Sequence, residues 1–325
     1  MRKIKIGILG CANIAKRSVI PNMVQSGNYE IVCVASRDIN KAIELTKIYG
    51  GDPIQGYSEL LLRQDIDSVY IPLPTGLHYK WVMRSLRANK HVFVEKSIAT
   101  SYDEALNIIK EASERKLCVF ENFMFPYHSQ FEFVRNQILN GAIGEIKLLR
   151  SSFGFPVFDK LTNIRYDKKL GGGALLDAGA YTLMAAQLFL GFDQNILAST
   201  LNNSDFEVDF HGAVLMINKD KIPSQLAFGL NNFYQNNIEL WGTNGKITIE
   251  RAFTAPPGYK PTVIVENKNG KQQHVLSADN HFVKILNSFH QAINKEDFSC
   301  NYNQIKSQAL LIESVRINQK NYEKK

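Results

Sequence analysis

At 325 residues, with 45% hydrophobic and 21% charged side chains, the chain is long enough to bury two domain cores, and its composition excludes a disordered or fibrous protein. The net charge of +7 is spread over scattered lysines and a solvated 320–325 tail, which biases the protein towards anionic small molecules rather than nucleic acid. No long apolar run marks a membrane span, no apolar signal core opens the chain, and Cys11, Cys33, Cys118 and Cys300 form no C-x-x-C pair, so the sequence predicts a cytoplasmic protein with reduced thiols and no metal site.

Residues 4–9 form a short apolar run that ends at Gly10, and small residues recur at Ala12 and Ala15 as a helical pattern over 13–26 begins. The pattern G-x-A-x-x-A predicts strand, tight turn and helix, in which the backbone N–H groups of Gly10, Cys11, Ala12, Asn13 and Ile14 face a diphosphate. The same pattern also occurs in α/β proteins that bind no nucleotide. A second buried strand, 31–35, ends at Ser36 and Arg37. Where NAD enzymes carry an acidic side chain for the ribose hydroxyls, an Arg accommodates the extra phosphate of NADP. Asp38 reads either as a ribose ligand or as the cap of a helix over 40–49.

Further strands are expected at 68–71, 91–95 and 117–121, with a weak one near 53–55, and helices near 77–89 and 102–115. This alternation predicts a doubly wound parallel sheet over residues 1–122, with ligands at the carboxyl ends of its strands. The fourth strand runs into Pro72, Leu73, Pro74, Thr75 and His78, which form either a loop beside a nicotinamide ribose or a rigid turn that starts a helix. The fifth ends in Glu95-Lys96, a lysine placed where a ligand is expected. The sixth ends in Glu121-Asn122, with Asn122 either a cofactor contact or structural.

From about 145 the pattern changes, and residues 123–325 are expected to form an α+β domain for substrate binding and oligomerisation with a large, mostly antiparallel open sheet. Strands are expected at 146–155, 208–217, 224–233, 237–242, 246–250 and 262–268, with hairpin turns at Thr243-Asn-Gly245 and Lys268-Asn-Gly270. An apolar helix spans 171–191, and helices at 281–294 and 303–319 close the chain, the terminal one free to pack back on the first domain. Within the central helix, Asp177 and Tyr181 are four residues apart and are expected on one face. They read either as a helix-start acid and a core aromatic, or as a chemical pair. Reduction of a carbonyl needs a proton donor beside the developing alkoxide, and a tyrosine next to a Lys⁺ supplies one. That arrangement takes Lys96 from the first domain and Asp177 and Tyr181 from the second. Arg165, Lys168 and Lys169 precede the helix and suit either an anionic part of a substrate or a solvated loop.

Residues 7–15, Glu95-Lys96, Glu121-Asn-Phe-Met124, Arg165-Tyr-Asp167, the 171–181 helix and Ile238-Glu-Leu-Trp-Gly-Thr-Asn-Gly245 resemble, in order, the glucose–fructose oxidoreductase/inositol dehydrogenase (Gfo/Idh/MocA) family. The resemblance implies an oxidoreductase using NADP (NADPH), with NAD as the alternative, on a sugar or polyol. It maps the lysine of the family's E-K-P motif onto Lys96 and the acid and Tyr/His of its D-x-G-x-[YH] motif onto Asp177 and Tyr181. It also implies that Lys96, Arg165, Asp177 and Tyr181 contact substrate. The Ser36-Arg37 tip, Tyr181 and the 251–257 stretch are most similar to NADP-dependent sugar dehydrogenases and nucleotide-sugar 3-ketoreductases. Two departures stand out: Ser97 replaces the proline after the lysine, and Pro126 stands where many members have arginine. Alternatives on this scaffold are an NAD-dependent glycosidase, a dihydrodiol dehydrogenase and a dinucleotide-sensing regulator. A homodimer or homotetramer through the second domain's sheet is expected, without nucleic-acid or membrane partners.

Overall fold

The computed structural model describes residues 2–156, 163–202 and 207–323. The chain divides into two compact units, Met1–Phe123 with Phe282–Lys306, and Met124–His281 with Ser307–Lys325.

The first unit is a six-stranded, all-parallel sheet built from β1 (Ile4–Leu9), β2 (Tyr29–Ser36), β3 (Asp52–Gln55), β4 (Ser68–Ile71), β5 (His91–Glu95) and β6 (Val119–Asn122). Their spatial order is β3-β2-β1-β4-β5-β6, the doubly wound order in which the switch point lies between β1 and β4. Ile6, Ile8, Val34, Val69, Val92 and Val94 are fully buried, as expected of parallel strands covered on both faces. The helices are α1 (Ile20–Ser26), α2 (Ile39–Tyr49), α3 (Tyr57–Leu61), α4 (His78–Arg87) and α5 (Tyr102–Glu114). A wide π-turn, Ala15–Val19, leads into α1 directly before Pro21, whose ring cannot continue regular α-helical bonding. Ser101 caps α5 by accepting the Glu104 N–H (3.2 Å), and Glu104 Oε2 reaches back to the Thr100 N–H (3.0 Å). The sequence pattern did not mark α3, a helix of only five residues.

The second unit is built on an eight-stranded sheet: β7 (Ile146–Phe155), β8 (Gln194–Asn202), β9 (His211–Asn218), β10 (Pro223–Leu230), β11 (Gln235–Gly242), β12 (Gly245–Glu250), β13 (Thr262–Asn267) and β14 (Gly270–Val275). The order is β14-β13-β12-β11-β7-β10-β9-β8, and only the central pair β7 and β10 is parallel. Residues alternate between the faces. Val214, Met216, Leu226, Phe228, Ile238 and Leu240 are buried, while Ala213, Leu215, Gln225 and Ala227 are exposed. The buried face carries α7 (Ala180–Leu190), and α6 (Ser129–Leu139) belongs to the same unit. The strand β8 and helix α6 go beyond the sequence pattern. β8 is an edge strand with one buried residue, Ser199, so it lacks the apolar alternation that marks its neighbours. The chain closes with α8 (His281–Lys295) and α9 (Ser299–Glu323). Contrary to the expectation of no membrane-length run, Lys168–Leu190 is long and apolar enough to cross a bilayer. Most of it is buried, the signature of a core helix apolar on all sides.

Candidate active site

Gly10 ends β1 with φ +129°, a conformation that favours glycine. A Cβ there would lie 2.9 Å from Leu73 Cδ2, so the bare backbone lets the loop after β4 close on the first turn. The first helical bond runs from the Lys16 N–H to the Ala12 carbonyl (3.1 Å). The N–H groups of Ala12, Asn13, Ile14 and Ala15 therefore open the helix without an intrahelical acceptor. Burial pushes the Cys11 thiol up, against the pull of the Ser36 side chain and the Lys16 charge.

At the tip of β2, Ser36 is buried and Arg37 is exposed. Asp38 caps α2, its Oδ1 accepting the Asn40 N–H (3.1 Å), which decides for the cap reading. The Gly56 N–H donates to the Ser36 carbonyl (2.8 Å), which brings Tyr57 to the tip, where burial pushes its hydroxyl up against the pull of the Arg37 charge. Tyr57 was not a candidate from sequence, because only the β2–β3 pairing makes it a neighbour of Arg37.

The ends of β4, β5 and β6 form a buried polar cluster. Glu95 Oε1 accepts from Tyr70 Oη (2.5 Å) and Asn122 Nδ2 (2.8 Å), and burial pushes this carboxyl up against the pull of Lys96. Glu121 Oε1 accepts the Ile98 N–H (2.8 Å). Burial pushes Glu121 up to about 7, and the Lys96 charge acts in the opposite direction. The oxygens Glu121 Oε2 and Asn122 Oδ1 are buried with no hydrogen-bond partner among the described residues. His78 is fully buried, with Nδ1 at 2.7 Å from the Ser97 carbonyl and Nε2 at 2.7 Å from the Leu73 carbonyl. Burial pushes its ring down to about 4, so at neutral pH it is neutral and carries one N–H. The burial of His78 between these two carbonyls favours the rigid-turn reading of Pro72–His78, with Thr75 starting a short 3₁₀ turn, Thr75–Leu77. Lys96 follows the last residue of β5, and the Lys96–Ser97 peptide is cis.

In the second unit the helix bearing Asp177 starts at a glycine run. A Cβ on Gly172 would lie 2.4 Å from the Arg165 carbonyl oxygen, and Gly173 has φ +108°. Asp209 binds this start twice: its backbone carbonyl accepts the Ala174 N–H (2.8 Å) and its Oδ2 the Leu175 N–H (2.6 Å). The helix then makes a π-turn, Leu175–Gly179, before α7. Asp177 lies in that wide turn and Tyr181 at the start of α7, so the expected α-helical spacing does not hold across them. Asp177 pairs with Arg165, whose guanidinium lies 5.3 Å from the centre of the Phe155 ring. Lys168 and Lys169 are exposed. Tyr181 is 5% exposed, its ring packed on Phe125, Phe153 and Phe253 at centroid distances of 5.7, 5.1 and 5.6 Å. Its hydroxyl lies 3.9 Å from Met124 Sδ. Asp209 and the three phenylalanines carried no local sequence signal, since each reaches the helix through tertiary folding.

The profile of the oxidoreductase family with an NAD-binding Rossmann fold matches residues 4–123, and that of the GFO/IDH/MocA C-terminal domain matches 131–248. The chain belongs to the Gfo/Idh/MocA oxidoreductase family. It is 38% identical over 315 residues, 96% of this chain and 95% of the relative, to dTDP-3,4-didehydro-2,6-dideoxy-alpha-D-glucose 3-reductase of Actinomadura kijaniata. It is 31% identical over 77% of each chain to a D-xylose 1-dehydrogenase (NADP(+)) of Haloferax volcanii. Among solved structures, the 3-ketoreductase KijD10 of A. kijaniata in complex with NADP and TDP-benzene superposes with a TM-score of 0.94 at 38% identity, covering 98% of each chain. The same reductase has been solved with a tyrosine changed to phenylalanine and with a lysine changed to alanine. Family membership fits the first unit's residues: the Gly10 turn leaves no room for a side chain, free N–H groups open the following helix, and Arg37 stands at the β2 tip.

Proposed function

We propose that this protein is an NADPH-dependent reductase of a nucleotide-linked 3-ketosugar. The observation that carries the reading is a strand-end lysine and a buried helix tyrosine in a chain similar, over nearly its whole length, to a dTDP-ketosugar 3-reductase. The turn at Gly10, Cys11, Ala12, Asn13 and Ile14 holds the dinucleotide's diphosphate on backbone N–H groups. Ser36 and Arg37, with Tyr57 behind the guanidinium, take the 2′-phosphate. Pro72, Leu73, Glu95 and Asn122 frame the nicotinamide end. Bound NADPH supplies the hydride. The Lys96 ammonium donates to the ketone oxygen and stabilises the negative charge that develops there. Tyr181 delivers the proton to that oxygen, and its aromatic surround keeps water away. Arg165 turns towards the anionic diphosphate of the substrate while Asp177 orients it and balances its charge.

The test is cofactor consumption by purified protein given NADPH or NADH with dTDP-linked 3-ketosugar or with free ketose. The reading expects oxidation of NADPH with the nucleotide-linked sugar and little with the free one. Equal rates for the two sugars would remove the nucleotide from recognition. Product release without net cofactor turnover would make the protein a glycosidase.

We further propose a homodimer or homotetramer built on the open face of the β7–β10 sheet, in a reducing cytoplasm that suits four free cysteines. That face carries a shallow groove of about 530 Å³ lined by Arg150, Thr200, Leu215 and Gln225, with Leu197 and Trp241 exposed. Leu215→Glu should shift the mass found by light scattering to the monomer. An unchanged oligomer would clear this face of the role.

A further inference from the structure

The peptide that links Ser97 to Ile98 is held at both of its polar ends by buried side chains from two different elements. Its carbonyl oxygen lies 2.7 Å from Nδ1 of His78, the first residue of α4. Its N–H donates to Oε1 of Glu121 on β6 at 2.8 Å. The C=O and N–H of one trans peptide point in opposite directions, so the two side chains grip the plane from opposite edges. All four residues are buried, with Ser97 and Ile98 each 2% exposed and Glu121 4%.

We infer that Glu121 and His78 are positioning residues: by clamping the Ser97–Ile98 peptide they fix the backbone from which Lys96 projects. The inference rests on the role proposed above for Lys96. The chain enters Lys96 from β5, where Glu95 stands opposite Asn122 in the β5–β6 register. That pairing fixes the entry. Beyond Lys96 the chain has left β5, and residue 97 is a serine with no ring to restrict φ. The clamp supplies that restraint. A bonded carboxyl oxygen in a buried site is a firm anchor, because losing it leaves the Ile98 N–H without this acceptor. A lysine displaced by a fraction of an ångström still carries its charge but no longer meets the ketone oxygen in line, and misplacement of about 1 Å costs about 10²-fold in rate.

The experiment compares Glu121→Ala, Glu121→Met and Glu121→Gln in the intact protein. Amide exchange at Ile98 is followed by NMR, and kcat and KM are measured with NADPH and the nucleotide-linked ketosugar. Alanine removes the acceptor. Methionine removes it while filling the volume, which keeps the test alive if alanine unfolds the unit. Glutamine keeps an acceptor oxygen without the charge. The inference expects faster Ile98 exchange and kcat lower by about tenfold or more in the alanine and methionine variants, with the KM for NADPH within about twofold. It expects glutamine to restore most of both. Three results would overturn it: unprotected Ile98 with wild-type kcat, unchanged Ile98 exchange, or a glutamine variant as slow as alanine, which would assign the effect to charge. Failure of the wild type to reduce any ketosugar would overturn the proposed function instead, and Ile98 exchange would then judge the clamp alone.

Discussion

Around Lys96 the groups that fix the chain are polar and buried: Tyr70 and Asn122 on Glu95, Glu121 on the Ile98 N–H, His78 on the Ser97 carbonyl. Around Tyr181 they are aromatic: Phe125, Phe153 and Phe253 hold the ring by shape, and Met124 Sδ is 3.9 Å from its hydroxyl. The two kinds of restraint fail differently. A removed buried hydrogen-bond partner strands the other group at a cost of about 1–3 kcal/mol. A ring that keeps its volume keeps its packing. Function at Tyr181 is therefore separable from structure by a single-atom change, whereas substitutions near Lys96 perturb both.

The sharpest way to break this contrast is Lys96→Ala. The account expects a folded protein, measurable NADPH binding by fluorescence titration, and turnover lower by about 10²–10⁴-fold. Near-wild-type turnover would leave the polar cluster without a catalytic purpose. Tyr181→Phe is expected to lower turnover by about 10²-fold with melting temperature and NADPH affinity unchanged. Unchanged rate and pH profile, in an assay limited by chemistry, would make Tyr181 a core residue like its three neighbours. Arg37→Ala, which touches neither restraint, should weaken NADPH by about 1.5–3 kcal/mol and NADH little. Equal losses in the two titrations would remove Arg37 from the phosphate.

The smallest expected effect separates the polar cluster by pH. Glu121 is raised from 4.5 to about 7, so the native state holds its proton where the unfolded chain has lost it, and its contribution to stability declines as pH rises between those values. His78 is lowered from 6.5 to about 4, so its contribution is lost as pH falls through that window. The two oppose each other near pH 5–6 by this sign argument. In Glu121→Gln the His78 slope is no longer opposed by Glu121, and urea unfolding midpoints should rise more steeply with pH than in wild type. Parallel curves for the two proteins would reject the assignment.

The parts of the site that were legible in the sequence are those that local chain chemistry dictates. The run 4–9 with Gly10, the Ser36-Arg37 tip and the Glu95-Lys96 strand end each announce themselves within a dozen residues. The apolar helix with Asp177 and Tyr181 was legible, but the π-turn at Leu175–Gly179 was not, because nothing in Leu-Leu-Asp-Ala-Gly distinguishes a wide turn from a regular one. Glu121, His78, Tyr57 and Asp209 act through strand order and helix docking. Their partners lie 23, 19, 20 and 34 residues away in sequence, beyond the reach of any local pattern. The edge strand β8 was hidden for a related reason: with one face uncovered it needs few apolar residues.

Hydride delivery to a sugar ketone is the claim on which the rest depends, and isotope transfer reads it directly. Purified protein is given NADPH deuterated at the transferable position and a dTDP-linked 3-ketosugar, and the product is weighed and mapped by mass spectrometry and NMR. The account predicts one deuterium on the carbon that bore the ketone and one NADP⁺ formed per sugar reduced. A product without deuterium, or sugar turnover without oxidised cofactor, would contradict it.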